Sequence, residues 1–490
     1  MSEQPTPEGT VAATPPEPTD DVVVTHHTFG RGRNKINYTA TTGRVVLREE
    51  VITDGKFEGS KARAEIFHTA YTLDDAAPGT RPVTFAFNGG PGSSSVWLHL
   101  GLFGPRRVIM GDAGELAKPP YELADNLESL LAVSDLVFID PVTTGFSRSA
   151  SGHTSDDFHG YTRDVESVGE FIRLWTTRHG RWMSPKFLAG ESYGTTRAAA
   201  LASYLSSAYG LYLNGIMLIS SVLDMGSVHF SEGNDLPYQL FFPTYVTTAH
   251  YHGKVRGSLQ NKLKAAEDFA GDELGRALRL GHRMPASERA EVVKTYAALT
   301  GLDEAYVDRA DLRIDLFEFC AELLRDRGLV VGRLDTRFTG PAEKGNAARM
   351  GYDPSHSAIN GPYAATLNHY VRAELGYESD LVYQILTAKV HPWSYKEFEG
   401  RAVEVASELA TAMRHNPHLR VHVACGLYDG ATPHFAAEHV FAHLKLPRAD
   451  ADRIEWKYYE AGHMMYVHEE SRVAQLADLA EFVTRGTAAE

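Results

Sequence analysis

The sequence predicts an α/β fold: a mostly parallel central sheet, antiparallel strands on its N-terminal side, and a helical cap insertion. Three observations predict it. Short apolar runs, Val83 to Phe87, Leu136 to Ile139, Lys186 to Ala189 and Gly215 to Ile219, alternate with segments of helical character. The stretch from Val22 to Asp74 alternates instead, as in Gly43 to Leu47 and Ala64 to Phe67, which is the pattern of antiparallel hairpins. Between about Met225 and Trp393 strand signals become few and long amphipathic segments take over.

In chain order, residues 1–21 are rich in Pro, Thr and Glu, with no basic start and no apolar core. They read as a disordered tail and not as a signal peptide. Residues 22–224 form the first part of the core. In it Phe158, Tyr161, Val165, Val168, Ile172 and Trp175 fall at helical spacing, so Asp156 to Arg178 is expected to be helical, as is Thr195 to Leu205. Residues 225–393 are the cap insertion, with helices expected over Leu259 to Leu280, Ala286 to Leu299 and Leu312 to Arg327. Residues 394–490 return to the core through strands at Arg420 to Ala424 and Glu455 to Tyr459 and a closing helix from Ser471 to Thr484.

At 490 residues, the chain has room for one large domain with an insertion. A formal charge of -15 argues against nucleic acid or an anionic membrane as partner. No run approaches the roughly 18 apolar residues of a membrane span. Two cysteines, Cys320 and Cys425, sit in apolar surroundings and read as buried free thiols, which fits a cytoplasmic protein. Homodimerisation is left open.

Chemistry concentrates in a few places. Gly190-Glu191-Ser192-Tyr193-Gly194 has the G-x-S-x-G form of a nucleophile elbow, between a short apolar run and a helical one. A serine hydroxyl needs a histidine to take its proton and a carboxylate to hold that histidine. In an α/β-hydrolase fold these follow in the order Ser, Asp, His on loops after late strands. Asp429 follows the run Val421 to Ala424 within a Gly-flanked turn, and His463 follows the run Trp456 to Tyr459. The glycine-rich loop Asn88 to Gly92 lies after an early strand, where its N–H groups could meet an oxyanion; Tyr193, next to the nucleophile, could supply a second donor. A phosphate loop would need a lysine or a G-x-G-x-x-G, and neither is present. The pairs His463/His468 and His250/His252 lack a metal-ligand pattern, so no metal and no cofactor are expected.

These motifs together resemble the serine carboxypeptidase family. The likeness lies in Asn88 to Ser95 with Leu102-Phe103-Gly104-Pro105, in Gly145-Phe146-Ser147, in the elbow, in the Asp429 segment and in Gly462-His463-Met464. The segment Tyr352 to Val371 is similar to bacterial members. The resemblance implies Ser192, Asp429 and His463 as catalytic triad and the N–H groups of Gly90 and Tyr193 as oxyanion hole. It further implies Asn88, Gly89 and Glu191 as binders of a peptide's free C-terminal carboxylate. Glu191 would act there as a protonated acid, since an ionised one would repel its ligand.

Two departures stand out. The family's second glutamate, which shares a proton with the acid before the serine, is Leu102 here, and its cysteine after the glycine-rich run is Ser93. Arg106 or Arg107 could offer a carboxylate a cation instead, although both read as surface residues of a loop. The expected activity is a serine-type carboxypeptidase working on peptides. An esterase or acyltransferase on the same triad, or a binding protein without turnover, are the alternatives.

Overall fold

A computed structural model describes residues 17–30, 32, 35–77 and 79–488. Fourteen strands are present among these residues: β1 (Asp21–Phe29), β2 (Ile36–Thr53), β3 (Lys56–Leu73), β4 (Val83–Phe87), β5 (Arg106–Val108), β6 (Leu123–Asp125), β7 (Asp135–Ile139), β8 (Arg148–Ser149), β9 (Lys186–Glu191), β10 (Gly215–Ile219), β11 (Leu329–Val331), β12 (Thr339–Pro341), β13 (Arg420–Gly426) and β14 (Ile454–Tyr459). Ten of them make one sheet in the order β1-β2-β3-β7-β4-β9-β10-β13-β14, with β8 beside β3. The first three strands and the β3–β7 pair are antiparallel. From β7 through β4, β9, β10 and β13 to β14 every neighbour is parallel. This is an α/β-hydrolase architecture.

The parallel strands are buried on both faces, which is why they read as apolar runs without alternation. Successive residues nevertheless serve opposite layers. Phe187 and Ala189 join one hydrophobic cluster with the C-terminal helix Glu469–Thr487, while Leu188 joins a second with α1 (Tyr161–Arg178) and α2 (Tyr193–Tyr209). A third cluster, including Phe242, Tyr245, Phe269, Tyr296 and Phe319, is confined to the helices between β10 and β11 and their surroundings. The long helix Pro354–Ala373 instead packs Tyr363, Leu367 and Tyr370 into the first cluster.

Parallel order has a consequence for function. The C-terminal ends of β4, β9, β13 and β14 lie at one edge of the sheet, and the candidate residues stand at or after those ends in sequence.

Several sequence expectations are corrected. Residues 1–16 lie outside the described residues, but the expected tail does not extend to residue 21. Glu17 pairs with Arg48 at 2.8 Å, Asp20 pairs with Arg178 at 2.7 Å, and β1 already begins at Asp21. The helix expected from Asp156 starts at Tyr161, because Thr154 caps a separate short turn (Ser155–Phe158) and Gly160 is extended. Leu259 to Leu280 is not one regular helix: it opens into a wide turn over Ala270–Leu274, between α-helical Leu259–Phe269 and Gly275–Leu280, where Gly271 and Gly275 weaken helical preference. Leu312 to Arg327 shortens to a helix over Leu316–Glu322, since Asp311 and Leu312 have positive φ and Asp315 forms a capping box with Glu318. Cys320 and Cys425 are both buried and free. Among the described residues no helix is long and apolar enough to cross a membrane.

Candidate active site

The elbow is built by backbone crowding that only glycine permits. β9 ends at Glu191, Ser192 sits at φ 60° and ψ -129°, and α2 starts at the next residue. A side chain at Gly190 would run into the carbonyl of Gly194, and one at Gly194 would come within 2.7 Å of the Phe87 carbonyl. The positive φ of Ser192 is a sparsely populated conformation held by its surroundings, among them the Ser192 N–H donating to the Ile219 carbonyl at 3.0 Å.

The glycine-rich loop leans on this elbow. A Cβ on Gly89 would collide with the backbone nitrogen of Tyr193 and lie 2.6 Å from that of Gly194. Tyr193 opens α2, so its N–H has no partner within the helix. Gly90 has φ 103°. The loop and the helix start are thus adjoining sources of N–H groups.

His463 and Asp429 form a buried pair. The Nδ1 of His463 lies 2.9 Å from Asp429 Oδ2. Asp429 Oδ1 accepts the N–H groups of Ala431 at 2.8 Å and Thr432 at 2.9 Å, and Oδ2 also accepts the Thr432 hydroxyl at 2.8 Å. Burial alone would push the Asp429 carboxyl up; the His463 charge and these hydrogen bonds outweigh it and hold the pKa below the usual range. For His463, burial opposes the charged form, but Asp429 beside it prevails and raises the imidazole pKa. Ser192 and His463 line the same cavity of about 170 Å³, and Asn88, Gly89, Gly90 and Glu191 line it with them. Asp429 stands behind His463, fully buried.

Glu191 is 3% exposed. Asn88 Nδ2 donates to its Oε1 at 2.8 Å, and the Tyr466 hydroxyl donates to its Oε2 at 2.7 Å. Burial pushes its pKa up to about 7, against the opposing pull of His463, Tyr466 and Asn88. Leu102 is fully buried in the wide helical turn Leu98–Phe103. Next to it, a side chain at Gly101 would strike the ring of Tyr466. A phenol, which stays neutral, therefore reaches Glu191 in this chain. Arg106 and Arg107 do not line the cavity: Arg106 holds Glu374 and Asp125, and Arg107 holds Glu469.

Behind the loop lies a buried cation that sequence reasoning missed. Arg197 on α2, 1% exposed, donates from Nη1 to the Asn88 carbonyl at 2.6 Å and from Nε to Asp164 Oδ2 at 2.7 Å. It ties the glycine-rich loop, α1 and the elbow helix together. Arg197→Met leaves Asp164 charged and unpaired, with an expected cost of about 3–5 kcal/mol in denaturant unfolding. Arg197→Met combined with Asp164→Leu should recover much of that loss; a loss below about 1 kcal/mol in the single variant would contradict the assignment.

Among the described residues, no cluster of three or more His, Cys, Asp and Glu side chains could hold a metal ion. Tyr466 and Arg197, together with Arg333, His356 and Trp97 of the cavity lining, are among the site residues that sequence reasoning did not find.

A sequence model of the family described as serine carboxypeptidase matches residues 57–479. The chain is 28% identical over 194 residues to serine carboxypeptidase-like 9 of Arabidopsis thaliana, covering 37% of this chain and 41% of that protein. It is 24% identical over 250 residues to serine carboxypeptidase-like 22 of the same plant, covering 50% and 48%. The matches thus span less than half the length of these relatives. Among solved structures, a proline iminopeptidase of Mycobacterium smegmatis is matched over 90% of this chain and 98% of that one, at 14% identity and TM-score 0.38. An esterase of Thermogutta terrifontis is matched over 90% and 100%, at 12% identity and TM-score 0.35.

Proposed function

Because the chain belongs to the serine carboxypeptidase family, we propose that it removes C-terminal residues from peptides through an acyl-enzyme. Ser192 attacks the carbonyl carbon of the last peptide bond while His463 takes its proton, and Asp429 holds the imidazole and balances its charge. The N–H groups of Gly90 and Tyr193 receive the oxyanion. His463 then protonates the leaving amine, and water releases the acyl group by the reverse sequence. The substrate's free carboxylate is held by the Asn88 amide, the Gly89 N–H and the carboxylic acid of Glu191.

The observation that carries this reading is Glu191: a buried carboxyl with a pKa of about 7, in the same cavity as the nucleophile and base. An acid poised to stay protonated is useful for gripping a carboxylate and has no role toward a neutral ester. The apolar Leu102 keeps a second reading in view, an esterase or acyltransferase on the same residues.

The pH dependence separates them. His463 works as a base only when neutral, above its raised pKa, and Glu191 donates only when protonated, below about pH 7. On a blocked dipeptide, kcat/KM should rise out of acid and fall again above about pH 7. On the matching C-terminal amide the alkaline fall should be absent, and the rate near neutrality should be about 10- to 100-fold lower, the worth of a charge-assisted hydrogen bond. Equal rates and equal profiles on both substrates would overturn the carboxypeptidase reading.

We further read the chain as a bacterial-type member, on the segment Tyr352 to Val371, and as a cytoplasmic protein. Two buried free thiols support reducing surroundings. A charge of -15 argues against nucleic acid or an anionic membrane as partner. Homodimerisation stays open to a sedimentation measurement.

A further inference from the structure

The cavity beside Ser192 contains one lysine or arginine among the described residues, Arg333. It lies just after β11, in a loop fixed from two sides. The Arg333 N–H donates to Asp353 Oδ1 at 3.0 Å, and the Leu334 N–H donates to Asp353 Oδ2 at 3.3 Å. The same loop presses on the histidine segment: the Leu334 carbonyl accepts the His463 N–H at 2.6 Å, and a side chain at Gly462 would strike Asp335.

The backbone is held, but the guanidinium is only loosely engaged. Among the described residues it donates no hydrogen bond, and its ion-pair contact is Asp353 Oδ2 at 4.0 Å, an oxygen already accepting from Leu334. Neighbouring arginines differ: Arg337 is paired with Asp335 at 2.7 Å and Arg325 with Glu322 at 2.5 Å. Arg333 is 38% exposed at its side chain, toward the cavity and solvent. Its charge reaches the His463 ring, where it opposes protonation.

We propose that Arg333 selects peptides ending in an acidic residue, its guanidinium pairing with the side-chain carboxylate of the C-terminal aspartate or glutamate. This rests on the carboxypeptidase reading above, in which Asn88, Gly89 and Glu191 take the main-chain carboxylate. Both sets of groups line the same cavity of about 170 Å³, which is the ground for assigning them to one C-terminal residue. The cavity's own carboxyl, Glu191, is the protonated acid of that reading, held by Asn88 and Tyr466, and so brings no charge to cancel the cation. The carboxylate and guanidinium can meet in two parallel hydrogen bonds, a geometry that Lys would not reproduce.

The test compares four blocked dipeptides, alike but for a C-terminal Glu, Gln, Leu or Lys, on wild type, Arg333→Gln, Arg333→Lys and Arg333→Glu. Wild type should prefer Glu over Gln by roughly tenfold in kcat/KM, mostly through KM, a value reduced by the partial exposure of Arg333. Arg333→Gln should bring that ratio to about one, Arg333→Lys should keep part of it, and Arg333→Glu should favour the Lys-ended substrate. A wild-type ratio near one overturns the proposal and leaves the carboxypeptidase reading standing. Equal losses on all four substrates in Arg333→Gln also overturn it, since they would assign Arg333 to the main-chain carboxylate or to the loop. Hydrolysis of esters and amides with no cleavage of any free-carboxylate dipeptide overturns both.

Discussion

Ser192→Ala is expected to lower the rate on a blocked dipeptide by roughly four to six powers of ten and to abolish labelling by a fluorophosphonate. In the proposed mechanism the hydroxyl is the atom that forms the bond, and Thr195, one turn along α2, spends its own hydroxyl on the Ser192 carbonyl at 2.7 Å. The elbow itself should persist. Its φ of 60° is imposed by the turn and not by the hydroxyl, and alanine meets the same backbone conformation with a side chain of similar bulk. Unfolding free energies of wild type and variant should therefore agree within about 1 kcal/mol, which separates lost chemistry from lost structure. What activity is left would come from the adjoining N–H groups of Gly90 and Tyr193 and from substrate binding. Wild-type protein that takes no label would overturn every hydrolase reading and favour a binding protein on this fold.

The parts legible in the sequence were those whose cause is local. The strands β4, β7, β9 and β10 are buried on both faces, so each had to be a short apolar run. The elbow and the loop before Ser93 needed glycine where backbone meets backbone, and that requirement is written in the residues themselves. Strand order was not legible. β4 lies between β7 and β9 because helices must cross over the sheet, and no short stretch encodes that.

The same division runs through the site. Ser192, Asp429 and His463 were visible because each sits in its own turn motif after a strand. Tyr466 was not, because its meaning comes from a glutamate 275 positions away. Arg197 reads as one polar residue in an alanine-rich helix until its partner, the Asn88 carbonyl, is found 109 positions earlier. The exchange at position 102 was visible, yet its remedy lay elsewhere. A tyrosine from the histidine segment, close over Gly101, now satisfies the acid.

Asp429→Asn should lower kcat by about four powers of ten, with little change in KM. The carboxylate does two things that an amide cannot. Its Oδ1 is committed to the N–H groups of Ala431 and Thr432, so an asparagine must keep its oxygen there and turn its NH2 toward Thr432 and His463. Nδ1 of His463 must then accept, which moves the ring proton to the other nitrogen, the one that takes the proton of Ser192 in the proposed mechanism. The substitution also removes the buried negative charge that raises the His463 pKa. Loss of a raising influence moves that pKa down, so the acid limb of the pH–rate profile should shift to lower pH even as the plateau drops. A simple structural lesion would lower the plateau without moving the limb. A fall of less than about a hundredfold with an unmoved limb would mean that another group orients His463. Among the described residues no second carboxylate is hydrogen-bonded to that ring, and Thr432, whose hydroxyl lies 3.3 Å from Nδ1, carries no charge to do so.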